Sequence, residues 1–373
     1  MTALESALAT IANFNAPDDE SQVIAAKVRG LIIGYDARWR DTAWETISVE
    51  EVFHLPIVNP ETGAKSRTFV QGGKFDGIVR RDGREYLLEH KTTSEDIADP
   101  NATYWRRLTI DSQVSSYVLA KWQQGSKLDG TLYDVARKPG IRPKEIAKAE
   151  LSHLLTSRTY CGFRVSEEIQ NRIALGDKTK VRECPELYAM RLARETLDDP
   201  DKYFQRRMIP RLDSDITEYA EELWEVGQSI ISARGREAHY RNSGACMEWG
   251  TPCQFLGICS GYDSPDSDKW QRAEHVHDEL PIVDGIDSKT ILTNSRVRCF
   301  QSCRRKHLYR YELGLRRVEE DEKESLVLGT LWHRALEAWW LQFQKGNHEH
   351  SSSTVAVGTE PTATTETESQ PTF

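Results

Sequence analysis

Residues 73–92 read GKFDGIVRRDGREYLLEHKT, and this stretch predicts two strands joined by a tight turn at residues 81–84. The first strand carries Asp76, and the second carries Glu89 and Lys91. Because alternate residues of a strand point to the same face, Glu89 and Lys91 project together and His90 points to the other face. Pairing of the two strands would bring Asp76 close to Glu89. The stretch therefore predicts two carboxylates and one ammonium in a single pocket.

Such a pocket suits a hard divalent cation, because carboxylate oxygens are the ligands that Mg²⁺ and Mn²⁺ prefer. Two such ions would activate water and clamp a scissile phosphate, while the lysine would orient or deprotonate the water. The alternative is a set of ordinary surface ion pairs on a hairpin, since the pattern is short. Two further elements favour a site: Gln113 and Tyr117 on one helical face, and Gly329 four positions before His333.

The surrounding pattern predicts an α/β protein. Helical spacing marks residues 1–45, 105–124 and 198–241, and strand patterns mark residues 50–58, 68–79, 85–91 and 130–137. Turn-rich residues 260–267 and the aperiodic residues 283–293 are interpreted as linkers. Residues 346–373 contain 11 Ser or Thr and are predicted to form a disordered tail.

The composition excludes several classes of protein. With 38% hydrophobic and 29% charged residues and a net charge of -9, the 373-residue chain is neither wholly disordered nor collagenous. It lacks an apolar run long enough to span a bilayer, and residues 1–15 lack the features of a secretory signal. A cytoplasmic protein is expected. Seven cysteines without an export signal favour reduced thiolates over a disulfide framework, and Cys246, Cys253 and Cys259 lie close enough together to be ligands.

The motifs around Asp76, Glu89-His90-Lys91 and Gln113-x3-Tyr117 resemble those of the PD-(D/E)XK nuclease superfamily. The Gln-x3-Tyr element and the Gly-x3-His element at His333 resemble its RecB-like exonuclease branch. The resemblance implies a restriction-endonuclease-like core, which is a small mixed sheet flanked by helices, with a cysteine cluster of the type found at the family's C-terminus. It also implies a role for each matching position: metal ligation by His333, Asp76, Glu89 and the backbone carbonyl of His90, catalysis by Lys91, and DNA contact by Gln113 and Tyr117.

A second segment, Cys303-Arg304-Arg305-Lys306, resembles the Cys-Pro-Arg-Lys segment of the same family, with Arg304 in place of the usual proline. In the iron-sulfur subgroup, typified by AddB and the CRISPR-associated exonucleases, one distant cysteine and a trio hold a 4Fe-4S cluster. The resemblance therefore implies a cluster on Cys303 and the trio, with structural zinc as the alternative. Cys161, Cys184 and Cys299 are interpreted as small buried hydrophobic residues.

The order of the motifs differs from that of the family, in which the first cysteine and the Gly-x3-His element precede the aspartate. Residues 1–280 resemble the main part of a nuclease domain with its cysteine trio, and residues 281–345 resemble its missing beginning. We therefore expect a circular permutation, which exposed and neighbouring termini tolerate. The alternatives are a segment that never docks and a swapped dimer in which it completes a neighbouring chain.

The sequence thus predicts a metal-dependent DNA exonuclease acting at single-stranded ends, in phage or bacterial recombination, repair or CRISPR-type processing. Arg304, Arg305 and Lys306, interleaved with aromatic residues, are expected to contact DNA. Recombination or CRISPR proteins are candidate partners, and an oligomer is compatible with the sequence. The alternative function is a catalytically incomplete iron-sulfur subunit that binds DNA or acts as an adaptor.

Overall fold

The computed structural model describes residues 1–42, 44–176, 180–248, 250–318 and 324–353, the side chains of residues 343–353 excepted. The strands are β1 (Glu45–Val58), β2 (Lys65–Arg81), β3 (Arg84–Thr93), β4 (Gly130–Arg137), β5 (Thr159–Tyr160), β6 (Phe163–Arg164), β7 (Phe204–Ile209), β8 (Met247–Glu248), β9 (Thr251–Pro252), β10 (Trp270–Arg272), β11 (Ile291–Leu292) and β12 (Leu315–Arg317). The helices are α1 (Ala3–Ala12), α2 (Asp19–Trp39), α3 (Thr103–Leu108), α4 (Ser112–Gln123), α5 (Lys148–Ser157), α6 (Glu167–Leu175), α7 (Pro185–Asp198), α8 (Pro200–Tyr203), α9 (Asp213–Gly235), α10 (Leu256–Ser260), α11 (Asn294–Ser302), α12 (Arg304–His307) and α13 (Glu324–Ser353).

A six-stranded mixed sheet, in the order β1-β2-β3-β4-β7 with β11 added to β2, forms the centre of the fold. The pairs β1–β2, β2–β3 and β4–β7 are antiparallel, and β3–β4 is parallel. Strand β4 is buried along nearly its whole length, as expected for a central strand covered on both faces. The prediction of a mixed sheet flanked by helices is confirmed, and this architecture is consistent with a nuclease-like core.

Strand β7 lies within residues 198–241, for which the sequence predicted helices, and corrects that prediction over Phe204–Ile209. It pairs with β4, so that Asp134 lies opposite Arg206. Its two arginines make the segment resemble the polar face of a helix, yet Arg206 is almost fully buried beneath the sheet. Pairing with a distant strand decides the local structure here, and local spacing carries no signal of that pairing.

Asp76 lies on a part of β2 that pairs with neither β3 nor β11. Strand β3 pairs with Gly77 and the residues after it, whereas β11 runs parallel to Val70 and Gln71. Asp76 lies between these two stretches of pairing. The backbone N–H of His90 donates to Asp76 Oδ2 at 2.8 Å.

Helix α13 docks on α1, α2 and β1 of the same chain. The buried rings of Trp332 and Trp339 meet the Tyr35 ring edge-on, at centroid distances of 5.5 and 5.3 Å. Trp339 also donates its indole N–H to Asp36 Oδ1 at 2.9 Å. In the structure the segment thus packs on its own chain, as the permutation hypothesis requires. Whether the family order has been permuted stays a prediction.

Helix α13 continues to Ser353, so residues 346–353 are helical where the sequence predicted the start of a tail. The rest of that predicted tail, residues 354–373, lies outside the described residues. Within the described ranges, every helix is too short or too polar to cross a bilayer.

Candidate active site and cysteine pocket

The β2–β3 hairpin brings Asp76, Glu89 and Lys91 together, as the alternation of the two strands predicts. Glu89 is only 1% exposed, and Lys91 Nζ donates to Glu89 Oε1 at 2.7 Å. The other carboxylate oxygen, Glu89 Oε2, is buried without a hydrogen-bond partner among the described residues. A buried carboxylate oxygen left in this state carries a desolvation cost that a cation would remove.

Burial and neighbouring charges have opposite effects on the pKa of each member of the Glu89–Lys91 pair. Burial raises the pKa of Glu89 to about 8, against the opposing charge of Lys91. Burial alone would lower the pKa of Lys91, but the charges of Glu89 and Asp111 outweigh it and raise that pKa. Lys91 is therefore a fixed cation, and a divalent ion beside Glu89 would favour its ionised form.

Helix α4 holds the ammonium of Lys91 in place from the other side. Lys91 Nζ donates to Gln113 Oε1 at 2.8 Å, and Gln113 Nε2 donates to the Tyr117 hydroxyl at 3.0 Å. The Tyr117 ring is buried against Phe53 and Phe75. The sequence predicted Gln113 and Tyr117 beside DNA, and the structure gives them contacts that position Lys91.

Asp111, which the sequence analysis did not single out, also contributes to this arrangement. Its Oδ1 accepts the backbone N–H of Gln113 at 3.0 Å, which caps α4, and its Oδ2 lies 3.8 Å from Lys91 Nζ. An aspartate directly before a helix is a capping signal that the sequence does contain.

His333 on α13 reaches the hairpin from the C-terminal segment. Its Nδ1 lies 4.0 Å from Asp76 Oδ1, and its side chain keeps 38% exposure. Desolvation lowers the pKa of His333, the nearby cations Lys91 and Lys74 act in the same direction, and Asp76 opposes them. The neutral imidazole that results is the form that binds metals. The structure therefore places His333 beside Asp76, as the family resemblance implies.

A buried network lies on the opposite face of β3, and sequence reasoning missed it. His90 Nδ1 lies 3.3 Å from Asp134 Oδ2, and Arg206 Nε lies 3.3 Å from Asp134 Oδ1. The Tyr35 hydroxyl donates to Asp134 and accepts from Arg206 Nη2 at 2.9 Å. Burial would raise the pKa of Asp134, but Arg206 and His90 outweigh it and lower that pKa to about 2. The network holds the side chain of His90 and therefore the stretch of β3 that carries Glu89 and Lys91.

The cysteine trio and the distant Cys303 line one pocket, which also contains Lys306 and Tyr309. The backbone N–H of Asn242 donates to Cys303 Sγ at 3.4 Å, and the N–H of Cys253 donates to the Cys246 carbonyl at 2.8 Å. The structure thus brings together four thiols from two distant parts of the chain: Cys246, Cys253, Cys259 and Cys303. Cys299 is buried as predicted, whereas Cys161 and Cys184 are half-buried.

The basic residues that follow Cys303 have protein partners of their own. The Arg304 guanidinium lies over the Tyr240 ring at 4.6 Å, and Arg305 Nε donates to the His239 carbonyl at 2.6 Å. Lys306 Nζ lies 3.8 Å from a carboxylate oxygen of Glu248. These contacts join the basic run to residues just before and within the cysteine trio. DNA contact by the three basic residues stays a prediction.

Neither group of side chains is arranged as a finished metal site. Within the described part of the chain, no group of three or more His, Cys, Asp or Glu side chains is placed so that it could hold a metal ion. The donors nevertheless fit the two kinds of ion in their chemistry. The partnerless Glu89 Oε2 beside Asp76 offers hard oxygens, and the four thiols sharing one pocket offer soft sulfurs.

The comparisons with known proteins concern the C-terminal part of the chain. Residues 291–369 match the model of the PD-(D/E)XK nuclease superfamily, whose members are generally nucleases and typically use Mg²⁺ or Mn²⁺. Neither a curated protein nor a solved structure matches the chain. The match includes Cys303 and His333 and leaves out the hairpin with Asp76, Glu89 and Lys91. Over residues 291–369 the chain is therefore similar to a PD-(D/E)XK nuclease superfamily domain.

Proposed function

We propose that this protein is a metal-dependent deoxyribonuclease whose active site joins the β2–β3 hairpin to helix α13. The observation that carries the proposal is the buried Glu89 side chain: its Oε1 accepts from Lys91, and its Oε2 has no hydrogen-bond partner in the described part of the chain. Asp76 and His333 lie at the same place, and His333 belongs to the segment that matches the nuclease superfamily. A buried carboxyl group with a strongly shifted pKa beside a specific charged partner is typical of a catalytic pocket.

Asp76, Glu89, His333 and the backbone carbonyl of His90 would hold Mg²⁺ or Mn²⁺ in this site. When bound, the ion supplies a water of lowered pKa and charge stabilisation at the scissile phosphate. Lys91 keeps its ammonium charged and directed by Glu89 and Gln113. From there it orients the attacking water and stabilises negative charge that develops on the phosphate oxygens. Gln113 and Tyr117 keep Lys91 from swinging away as the charge distribution changes.

The preferred substrate, in this proposal, is a single-stranded DNA end that is degraded exonucleolytically. The resemblance of Gln113-x3-Tyr117 and Gly329-x3-His333 to the RecB-like branch supports this choice. A role in phage or bacterial recombination, repair or CRISPR-type processing, with protein partners from those systems, follows from the same resemblance. The circular permutation belongs to the proposal as well, supported by the docking of α13 on its own chain.

Replacing Asp76 with asparagine tests the proposed metal site. We expect Asp76→Asn to lower the rate of single-stranded DNA cleavage by more than 100-fold, since loss of a ligand exceeds the roughly 10–100-fold effect of altering an outer-shell partner. The asparagine oxygen can still accept the His90 N–H, so the hairpin should stay folded. The measurement is cleavage of end-labelled single-stranded DNA in Mn²⁺ or Mg²⁺, together with Mn²⁺ binding followed by electron paramagnetic resonance.

The matched control is Asp82→Asn, the same substitution in the exposed turn of the same hairpin. Asparagine tolerates the left-handed backbone that Asp82 adopts, with φ of 52°. This variant should cleave and bind Mn²⁺ like the wild type. A wild-type protein that binds DNA but does not cleave it would instead support the alternative, a DNA-binding or adaptor subunit.

We further propose that Cys246, Cys253, Cys259 and Cys303 hold a 4Fe-4S cluster, with zinc as the competing occupant. The shared pocket supports the ligand set, and the N–H of Asn242 directed at Cys303 Sγ is the kind of contact that stabilises a thiolate. Such a centre would join the trio to the start of the superfamily domain. It would therefore stabilise the junction between the two parts of the chain.

Replacing Cys303 with serine tests this second site. Protein purified without oxygen is expected to show broad visible absorbance and about four irons per chain, and Cys303→Ser is expected to lose both. Zinc in place of iron, with a colourless protein, would select the competing occupant. The control is Cys161→Ser, a half-buried cysteine away from the pocket, which should keep the wild-type metal content. A wild type that carries neither iron nor zinc would refute the ligand assignment.

A further inference from the structure

A second lysine lies on the face of the sheet that carries the candidate active site. Lys74 precedes Asp76 by two positions in β2, so both side chains project from the same face. Neither the motifs nor the superfamily match assign a role to Lys74. Its side chain is 36% exposed, which leaves the ammonium accessible to a ligand from solvent.

Glu50 anchors the ammonium of Lys74 by a direct ion pair. In the antiparallel pairing of β1 with β2, Val49 lies opposite Gly77 and Glu51 opposite Phe75, which places Glu50 opposite Asp76. The Glu50 side chain is only 17% exposed. The anchor therefore lies beside the candidate metal ligand, on the neighbouring strand.

The backbone of Glu50 is strained at this position. Its φ of 54° lies in the left-handed region, in the middle of a long strand. This conformation costs a glutamate more than a partly exposed salt bridge normally returns. A simple stabilising ion pair therefore does not account for the arrangement, whereas a requirement for a cation at a fixed place does.

Two further carboxylates lie near the Lys74 ammonium. Asp76 and Glu337, the latter one turn beyond His333 on α13, both attract the Lys74 ammonium electrostatically. Because Glu50 already neutralises Lys74, the pair adds no net charge beside Asp76. Among the described residues, Asp76 and the unpartnered Glu89 Oε2 still offer oxygens to a metal. An ammonium has three donors, so Lys74 can pair with Glu50 and still donate to an anion bound next to that metal.

We propose that Lys74, oriented by Glu50, contacts a backbone phosphate of the DNA strand beside the one that is cleaved. The inference rests on the proposed nuclease function and extends it to the positioning of the substrate. In this proposal Lys91 is directed at the reacting phosphate and Lys74 at its neighbour. A strand end held at two phosphates would be aligned for cleavage, which a single contact does not achieve.

The experiment measures binding of a labelled single-stranded oligonucleotide over a range of salt concentrations, with Ca²⁺ in place of Mg²⁺. We expect Lys74→Gln to weaken binding roughly fivefold to tenfold and to reduce the slope of log affinity against log salt by about 0.7, the value for one phosphate contact on a single strand. Lys74→Arg keeps the positive charge and should retain most of the affinity and the slope. A merely structural role for Lys74 would leave the slope unchanged.

The matched control is Lys65→Gln, the same substitution at an exposed lysine at the far end of β2. It should leave the affinity and the slope at their wild-type values. If Lys74→Gln and Lys65→Gln behave alike while the wild type cleaves DNA, the inference about Lys74 is wrong and the nuclease function stands. If the wild type does not cleave DNA, the proposed function fails, and the salt slope still decides whether Lys74 contacts phosphate.

Discussion

Lys91→Ala is expected to lower the rate of DNA cleavage by about 10²–10³-fold, the range for removing one group that stabilises charge in the transition state. The physical reason is that the ammonium of Lys91 is held by Glu89 and Gln113 at the metal ligands, and alanine supplies neither charge nor hydrogen-bond donors. Binding of Mn²⁺ should persist, because the oxygens of Asp76 and Glu89 remain. The measurement is the initial rate on end-labelled single-stranded DNA, with Mn²⁺ binding measured on the same preparation.

Lys121→Ala is the control for losing a largely buried lysine. Lys121 lies on α4 and pairs with Glu51 at 2.8 Å, and its side chain is 12% exposed, so its removal carries a comparable cost in folding. It should change thermal stability without a comparable loss of cleavage rate. If Lys91→Ala cleaves DNA as fast as the wild type, the catalytic assignment of Lys91 is wrong.

The parts of the candidate site that the sequence predicted are those determined by short-range geometry. Alternation within one strand places Glu89 and Lys91 on one face, and a four-residue turn brings Asp76 to them. Helical spacing places Gln113 and Tyr117 on one side of α4. The link between this hairpin and His333 could be anticipated only through the family resemblance, because His333 lies 242 positions after Lys91.

The parts that escaped prediction depend on contacts between residues far apart in sequence. The arginine pattern of β7 gave no sign that Arg206 enters a buried network, since a buried arginine reads as a polar surface residue until its partner is known. Asp134 looked like any strand aspartate for the same reason. The role of Glu50 could not be predicted, because its left-handed backbone depends on the register of β1 against β2. In each case the pairing of strands creates the environment, and the sequence of one strand does not encode its partner.

The cysteines show the same division between local and distant information. The spacing of Cys246, Cys253 and Cys259 marked them as neighbours, and the structure places them around one pocket. Cys303 joins them only because α11 and α12, which follow β11, return to this pocket. Arg305 contacts His239 before the trio and Lys306 contacts Glu248 between Cys246 and Cys253, so these contacts could not be predicted from the basic run itself.

Asp134→Asn is expected to produce the largest loss of stability among single substitutions in the buried network. Removal of one partner from a buried ion pair leaves an uncompensated charge, here that of Arg206, at a cost of roughly 3–5 kcal/mol. Asparagine keeps the size of the side chain, so the loss reports charge and hydrogen bonding with little contribution from packing. The measurement is the free energy of unfolding at neutral pH from denaturant titration, with the pH dependence as a second readout.

The sign of the pH dependence follows from the lowered pKa of Asp134, about 2 in the folded protein against about 3.9 in an unfolded chain. A carboxylate whose pKa falls on folding stabilises the native state at every pH above its unfolded value. That contribution is complete above about pH 5 and is lost as the pH falls towards 2. The difference in stability between the wild type and Asp134→Asn should therefore be constant near neutrality and shrink between about pH 5 and pH 2.

Two further variants separate the buried pair from a general effect of losing an aspartate. Asp198→Asn removes an aspartate from an exposed i,i+4 pair with Arg194, and it should change stability by less than about 1 kcal/mol. The double variant Asp134→Asn with Arg206→Met removes both buried charges, and it should be more stable than Asp134→Asn alone because no unpaired charge remains. Equal stability of Asp134→Asn and Asp198→Asn would contradict a buried ion pair beneath the active site. Since His90 lies between this pair and the catalytic residues, the destabilised variant should also bind Mn²⁺ more weakly, whereas Asp198→Asn should not.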